Sequence, residues 1–279
     1  MKHTHSILDA QNELVNWEQK LLSYEGNDFE KTYERWLHGA FDSLPEQWKD
    51  HVTSSIDQWI FHIYAIFHES SFQQDAKERI LSSARAFDDQ IQTFEDIKQL
   101  SLPKLKYIAE QETSRHGLYS IIQGGLIGTG RSIFSTMSIP ATLITNIRVV
   151  QLLSYVYGND LSSPYELMTS LKVFHAATLP KRYQGQAWEK LKDELHLQNG
   201  TRYFYNGDEK VITKEWLELG IQELVKILAV QLFQPKKEGK VPFLSMVLGI
   251  SFQYKMSKKI SEFAHKYYLY RYLLEQENK

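Results

Sequence analysis

Apolar residues recur every three to four positions along most of this chain, which is the period of an amphipathic helix. In the first stripe Leu14, Trp17, Leu21 and Tyr24 share one face, and Gly26 follows as a helix-ending residue. A longer stripe covers residues 72–94, and its opposite face is charged. The pattern predicts an all-α fold, a multi-helix globular bundle of about nine helices.

Local signals divide the chain without splitting it into domains. Ser163, Pro164 and Glu166 form a capping-box pattern that opens a helix. Residues 203–212 break the helical period, and Asn206-Gly207 within them favours a short β-hairpin as much as a plain loop. We predict one domain over residues 1–279, with a disordered or frayed N-terminus at residues 1–12.

Residues 117–158 differ from the rest of the chain. They contain no acidic residue, and their only charges are Arg131 and Arg148. We predict a glycine-rich central helical hairpin here. Gly124 and Gly128 are four residues apart, on one helix face, where missing side chains let a partner helix approach closely. This packing interpretation explains the glycines best.

A second interpretation of the same segment is an anion or lipid site, because successive backbone N–H groups of a glycine-rich turn can bind an anion. Its candidate residues are Gly124, Gly125, Gly128, Gly130, Arg131 and Arg148. No Walker lysine follows the glycines, and no predicted strand precedes them, so a nucleotide loop is disfavoured.

A third interpretation is contact with a membrane surface, which an apolar, acid-free segment with arginines suits. The apolar stretch 241–254 near the C-terminus has the same character. Lys255, Lys258 and Lys259 follow it and are candidate membrane contacts. A buried core helix with a lysine-rich solvated end is the commoner use of such a sequence.

Composition excludes several functions. The net charge of −2 gives no nucleic-acid footprint, and the absence of cysteine excludes disulfides and thiolate sites. We expect no secretory signal and no transmembrane helix, hence a cytoplasmic protein. Glu112 and His116 share a helix face, but two side chains do not make a metal site, and an exposed pair is the simpler interpretation. We identify no catalytic residue and expect no metal or cofactor.

Several motifs occur in an order and at spacings that resemble the EcsC family of bacterial proteins over most of the chain. They are Trp17, Leu44-Pro45-Glu46, Gly124-Gly125, Ile139-Pro140, Tyr157-Gly158-Asn159-Asp160 and Pro242 with Gly249. The chain departs from the family pattern at Ser245, where glycine is usual, and at Gln253, where asparagine is common.

The resemblance implies a bacterial, Gram-positive source and a family named for a protein encoded beside an ABC transporter. It assigns no catalytic residues. Our leading hypothesis is a non-enzymatic accessory protein at the cytoplasmic face of the cell membrane, acting with a transporter. The alternatives are an enzyme or ligand-binding protein with an anion site at residues 124–131, and a protein-interaction module. The oligomeric state stays open.

Overall fold

The computed structural model describes residues 2–28, 71–128, 132–197 and 242–277, together with a few positions between 31 and 43. Within these residues the chain forms helices and no strands, which confirms the predicted all-α class. The helices are α1 (Lys2–Leu22), α2 (Ser71–Arg85), α3 (Phe94–Ile97), α4 (Leu102–Gly128), α5 (Ser132–Val156), α6 (Pro164–Thr178), α7 (Lys181–Leu197) and α8 (Pro242–Glu277). The possible hairpin at 203–212 lies outside the described residues.

Helices α4 and α8 pack against each other along much of their length and run antiparallel. Near one end, Tyr272 donates a hydrogen bond from its hydroxyl to the carbonyl of Leu100, just before α4, at 3.2 Å. Towards the other end, the ring of Tyr254 lies 3.8 Å from the position of a Cβ on Gly117. Helix α5 returns beside α4 after residues 129–131, so α4 and α5 form the predicted helical hairpin.

Aromatic side chains fill the contact between α1, α7 and α8. Trp188 is fully buried, and its ring meets those of Trp17 and Phe263 edge-on at centroid distances of 4.9 and 5.7 Å. The indole N–H of Trp188 donates to the Glu18 carboxylate at 2.9 Å. Burial of these large rings stabilises the contact, and the hydrogen bond from Trp188 fixes the orientation of its ring. Together they hold α1 against the bundle.

Buried charges connect α8 to the helices around it. Arg271 is 2% exposed, and its guanidinium donates to both oxygens of Glu166 at 2.5 and 2.6 Å. The Nε of Arg271 also donates to Glu275 at 3.1 Å. Burial alone would lower the pKa of Arg271, but the hydrogen bonds and charge of Glu166 raise it well above its usual value. Arg271 is therefore charged, and each of its three guanidinium nitrogens donates to a carboxylate.

The predicted capping box at Ser163 forms only in part. Pro164 begins α6, as expected, but the side chain of Ser163 makes no cap hydrogen bond. Glu166, which would complete the box, binds Arg271 instead. A bidentate, buried charge pair is stronger than a single hydrogen bond to an exposed helix end.

Helix α1 begins at Lys2, and its buried residues Ala10 and Leu14 anchor it on the core. The disordered or frayed N-terminus expected at residues 1–12 stays a prediction. One further expectation differs from the structure. The stripe at 72–94 is not one helix. It breaks after Arg85, whose Nε donates to the Ile91 carbonyl at 2.9 Å, and a Thr93–Asp96 capping box starts α3.

Gly158 ends α5 in a conformation that requires glycine. Its φ is +76°, and a Cβ there would lie 2.7 Å from the Phe94 carbonyl oxygen. The N–H of Asn159 closes the helix end on the Ser154 carbonyl at 3.0 Å. This left-handed cap turns the chain towards α6.

Replacing Glu166 with glutamine should destabilise the protein by about 3 kcal/mol, because it leaves part of the buried Arg271 charge without its partner. Urea denaturation would measure the loss. The control is Glu189→Gln, since Glu189 pairs with Lys192 at 3.1 Å while 45% exposed. Glu189 is partly exposed and Lys192 keeps Glu18 as a partner, so this pair should contribute less than about 1 kcal/mol. A similar small loss for both variants would contradict the structural role of the Arg271–Glu166 pair.

Candidate functional site

Three helices each contain a stretch without a single charged residue. The stretches are residues 117–128 of α4, 132–147 of α5 and 242–254 of α8. We call them together the uncharged region. Their lengths range from about 18 to 24 Å at 1.5 Å per residue.

The packing of the helices brings these stretches to one end of the bundle. Gly117 is the first residue of the α4 stretch, and Tyr254 is the last residue of the α8 stretch. The ring of Tyr254 lies beside Gly117, so these two ends are at one level. On α5, Arg148 lies close enough to His116 for its charge to affect that histidine. From this common level the three stretches extend in the same direction, because α4 is antiparallel to both α5 and α8.

On each of these helices, the first charged residue beyond the Gly117–Tyr254 end of the uncharged region is a cation. It is Arg115 on α4, Arg148 on α5 and Lys255 on α8. Lys258 adds a further exposed cation one turn along α8. We call these four residues the basic boundary. Such a line of cations beside uncharged helix is suited to a surface that is negative outside and apolar inside.

Exposed apolar side chains lie directly beside the basic boundary. Leu118 on α4 is 63% exposed, and Tyr254 on α8 is 43% exposed. Leu118 is three residues from Arg115, and Tyr254 is four residues from Lys258, so each apolar side chain shares a helix face with a cation. On α5 at the same level, Leu143 and Ile147 are buried. Among the described side chains at this level, the exposed apolar ones are therefore on α4 and α8.

The nearest acidic residue on α4 does not offset the basic boundary. Glu112 is 1% exposed, and both its oxygens accept hydrogen bonds from Arg79 at 2.8 to 3.2 Å. Arg115 is 3.6 Å from the same carboxylate and remains 40% exposed at its side chain. Arg79 thus neutralises Glu112 from the inside, and the outer charge is positive.

His116 occupies the interior of this level. It is 3% exposed, and its Nε2 has no hydrogen-bond partner among the described residues. Burial, followed by the charge of Arg148, lowers the pKa of His116 to about 4. Burial also lowers the pKa of the half-buried Arg148 guanidinium. His116 is therefore neutral at physiological pH, and the positive charge here belongs to arginine and lysine.

The predicted site residues fall into three groups. Gly124, Gly125 and Gly128 lie in the last turns of α4, whereas Gly130 and Arg131 are outside the described residues. The anion site at 124–131 stays a prediction. Arg148, Lys255 and Lys258 come together in the basic boundary.

Lys259 has a different environment from the two neighbouring candidate lysines. Its ammonium donates to the carbonyl of Leu179 at 2.8 Å, at the C-terminal end of α6. A cation is stabilised there by the negative end of the helix dipole. The structure therefore gives Lys259 a contact within the fold.

The Glu112–His116 pair is buried, whereas the sequence indicated an exposed pair. Glu112 and Glu166 are both partners of arginine in the interior. In the part of the chain that is described, no group of three or more histidine and acidic residues could hold a metal ion.

Sequence reasoning missed Arg115, Leu118 and Tyr254 as parts of one site. The sequence contains a usable signal, because the first charged residue beside each uncharged stretch is a cation. The sequence does not contain the register between the helices. Only the contact of Gly117 with Tyr254 shows that the ends of the stretches lie at one level.

Comparison with known proteins gives one finding. The model of the EcsC protein family matches residues 9–273, nearly the whole chain. No curated protein and no solved structure matches it. Within the described residues, no helix is both long and apolar enough to cross a membrane.

Acidification should destabilise the fold between pH 6.5 and about 4. His116 is buried and His265 is partly buried, and burial lowers the pKa of each to about 4 from 6.5. The unfolded chain binds these protons first as the pH falls, so their contribution is complete above pH 6.5 and is lost towards pH 4. Urea denaturation at several pH values between 5 and 7 would measure the slope.

Replacing His116 with glutamine should reduce that slope, because glutamine does not titrate. The matched control is His196→Gln, since His196 is exposed and bonds Tyr270 at 2.9 Å. An unchanged slope in the His116 variant would show that this histidine is not held neutral in the fold.

Proposed function

The chain belongs to the EcsC protein family, and from its geometry we propose that it is a non-enzymatic accessory protein that docks on the anionic, cytoplasmic face of a cell membrane. The observation that carries the proposal is the basic boundary beside the uncharged region. Two consecutive helices, α4 and α5, and the C-terminal helix α8 change from charged to uncharged at one level, and each does so at a cation.

The electrostatics favour an anionic lipid surface. No acidic residue occurs at 113–159 or 242–261, whereas five cations of the described residues do: Arg115, Arg148, Lys255, Lys258 and Lys259. Each exposed basic residue near an anionic leaflet contributes about 1 kcal/mol of binding free energy. The attraction acts only within a Debye length, about 8 Å at physiological ionic strength, so contact must be close.

The apolar contribution comes from Leu118 and Tyr254. Leu118 is 63% exposed beside a cation, where its side chain can enter the boundary between lipid headgroups and acyl chains. Tyrosine prefers the membrane interface, because its ring is apolar and its hydroxyl is polar. Both side chains adjoin the basic boundary, so apolar and electrostatic contacts with the same leaflet form together.

The orientation that fits these residues is side-on. In the sequence, Arg131 follows the uncharged stretch of α4 and precedes that of α5. Burying an arginine near the bilayer centre is costly, by about 3 kcal/mol or more. Helices that lie along the interface, about 5–10 Å deep, keep cations at both ends of the uncharged region among the headgroups.

The accessory role follows from this docking mode and from the family's association with a transporter locus. A protein held side-on at the membrane surface presents the rest of its bundle to integral membrane proteins beside it. We propose an ABC transporter as the partner.

Removing the basic boundary should weaken binding to anionic vesicles. The triple variant Arg115→Gln, Lys255→Gln, Lys258→Gln loses three exposed charges and should bind roughly a hundredfold more weakly, since each contributes about 1 kcal/mol. Sedimentation with vesicles of phosphatidylglycerol and phosphatidylcholine would measure this. The wild-type protein should also dissociate at about 1 M salt, where the Debye length is about 3 Å.

The charge-matched control replaces lysines on other surfaces, namely Lys104, Lys181 and Lys190, with glutamine. It has the same net charge as the boundary variant and should bind vesicles as the wild type does. Equal losses in both triple variants would mean that net charge alone drives the association. No sedimentation of the wild-type protein with anionic vesicles at low salt would overturn the proposal.

A fluorescent probe at Leu118 should report entry into lipid. The chain has no cysteine, so Leu118→Cys provides a single site for an environment-sensitive dye. Its emission should rise and shift to the blue when anionic vesicles are added, because the dye leaves water.

Tyr107→Cys is the matched control for this probe. Tyr107 is on the same helix and is 56% exposed, but it lies about 16 Å from Leu118 along the helix axis. A dye there should keep its emission in water. An equal response at both positions, or none at Leu118, would contradict side-on docking through the basic boundary.

A further inference from the structure

Helix α1 presents a second surface, distinct from the uncharged region. On its outer side runs a stripe of five exposed residues, all of them uncharged: Leu8, Asn12, Val15, Gln19 and Leu22. The three apolar members are 54%, 48% and 47% exposed. We call these five residues the α1 stripe.

The spacing of the α1 stripe is that of a coiled-coil seam. Leu8, Val15 and Leu22 are seven residues apart, and a helix drifts by only about 20° in seven residues. They therefore form a narrow row, about 100° around α1 from Leu14 and Leu21, which are buried in the core. Helix α1 thus has one apolar row for its own bundle and a second that faces outward.

The stripe is close to symmetric about Val15. A leucine stands seven residues before Val15 and another stands seven residues after it. An amide side chain stands three residues before it, at Asn12, and four after it, at Gln19. An antiparallel copy of the same helix would therefore place leucine on leucine and valine on valine, with the amides between them. A two-fold contact requires this kind of self-complementarity.

We propose that the partner of the α1 stripe is a second copy of this chain, bound through an antiparallel α1–α1 contact. In that contact Val15 lies on the two-fold axis, opposite Val15 of the second copy. Leu8 of each subunit packs on Leu22 of the other, so three apolar layers form along about 21 Å of helix.

The charges beside the stripe support the antiparallel direction. Asp9 and Lys20 are both exposed and lie on the same flank of α1. In an antiparallel pair of identical helices, the same flank of each helix faces that of the other. Asp9 then lies within one residue of the level of Lys20 on the second copy. The two-fold axis generates this opposite-charge contact twice. Complementary flanking charges select orientation in helix pairs.

The contact is small, so the dimer is weak. Stable interfaces bury about 1,200–2,000 Å² in total, and a single helix pair of three layers lies at or below the low end. We expect a dissociation constant in the range of about 10 μM, or about −7 kcal/mol. Dimerisation should therefore depend on protein concentration.

Sedimentation velocity of the full chain, without lipid and across micromolar concentrations, tests the proposal. The wild-type protein should shift from monomer to dimer as its concentration rises. Val15→Glu should remain monomeric, because it places two carboxylates against each other on the two-fold axis. The control is Gln111→Glu, an exposed position on α4, which should dimerise as the wild type does. Circular dichroism would establish that each variant is folded.

Charge reversal gives an independent test that does not disturb the apolar row. Asp9→Lys and Lys20→Asp should each weaken the dimer severalfold, and the double variant should recover most of the loss by pairing in the reversed sense. A wild-type protein that stays monomeric at about 100 μM would overturn the proposal. So would a Val15→Glu variant that dimerises normally. Neither result bears on vesicle binding, which uses other residues.

Discussion

The buried pair between Arg271 and Glu166 is the interaction on which the arrangement of helices depends. An arginine that is 2% exposed cannot give up its charge, and so a carboxylate from another helix must meet it. Glu166 does so with two hydrogen bonds and fixes α6 on α8. A second charged pair connects α1 to α8, where the exposed Glu13 accepts from the buried Lys266 at 2.5 Å. A buried cation that needs its partner tolerates few alternative registers.

The register that Arg271 sets near the C-terminal end of α8 also fixes the position of Tyr254 in the N-terminal half of that helix. A helix is a rigid rod, so a shift of one residue at Arg271 would move Tyr254 by about 1.5 Å relative to α4. With the register held, Tyr254 meets Gly117, and the charges of α4 and α8 stop at one level. The basic boundary is thus a consequence of the Arg271–Glu166 pair, which forms more than a dozen residues away. The arrangement of charges at the surface depends on a polar contact in the core.

Helix periodicity made most of the fold predictable, because burial repeats with the helical turn. Leu14 and Leu21 were predicted on one face and are buried, and Pro164 begins its helix as expected. Partners distant in sequence could not be predicted. Glu166 reads as half of a local capping box, and nothing near it reveals an arginine more than a hundred residues later.

The candidate site was predictable in its parts and not as a whole. Its lysines at 255 and 258 and its arginine at 148 were recognised from charge patterning alone. Arg115 joined them only through the antiparallel packing of α4 with α8. For the α1 stripe the difficulty was the reverse. A heptad of apolar residues on the outside of a helix becomes meaningful only when the inside of that helix is known to be filled, as it is by Leu14 and Leu21.

The two proposed surfaces constrain each other. Helix α1 runs antiparallel to α8, since Gln11 bonds Glu277 and Trp17 packs on Phe263. A two-fold axis perpendicular to α1 is then close to perpendicular to α8 as well. If α8 stood upright in a membrane, this axis would point the two uncharged regions of a dimer in opposite directions. With α8 lying along the interface, the axis can coincide with the membrane normal, and both subunits can dock on one leaflet. Dimerisation through α1 and membrane contact through Leu118 and Tyr254 are therefore compatible on a single membrane only in the side-on orientation, the one that the position of Arg131 independently favours.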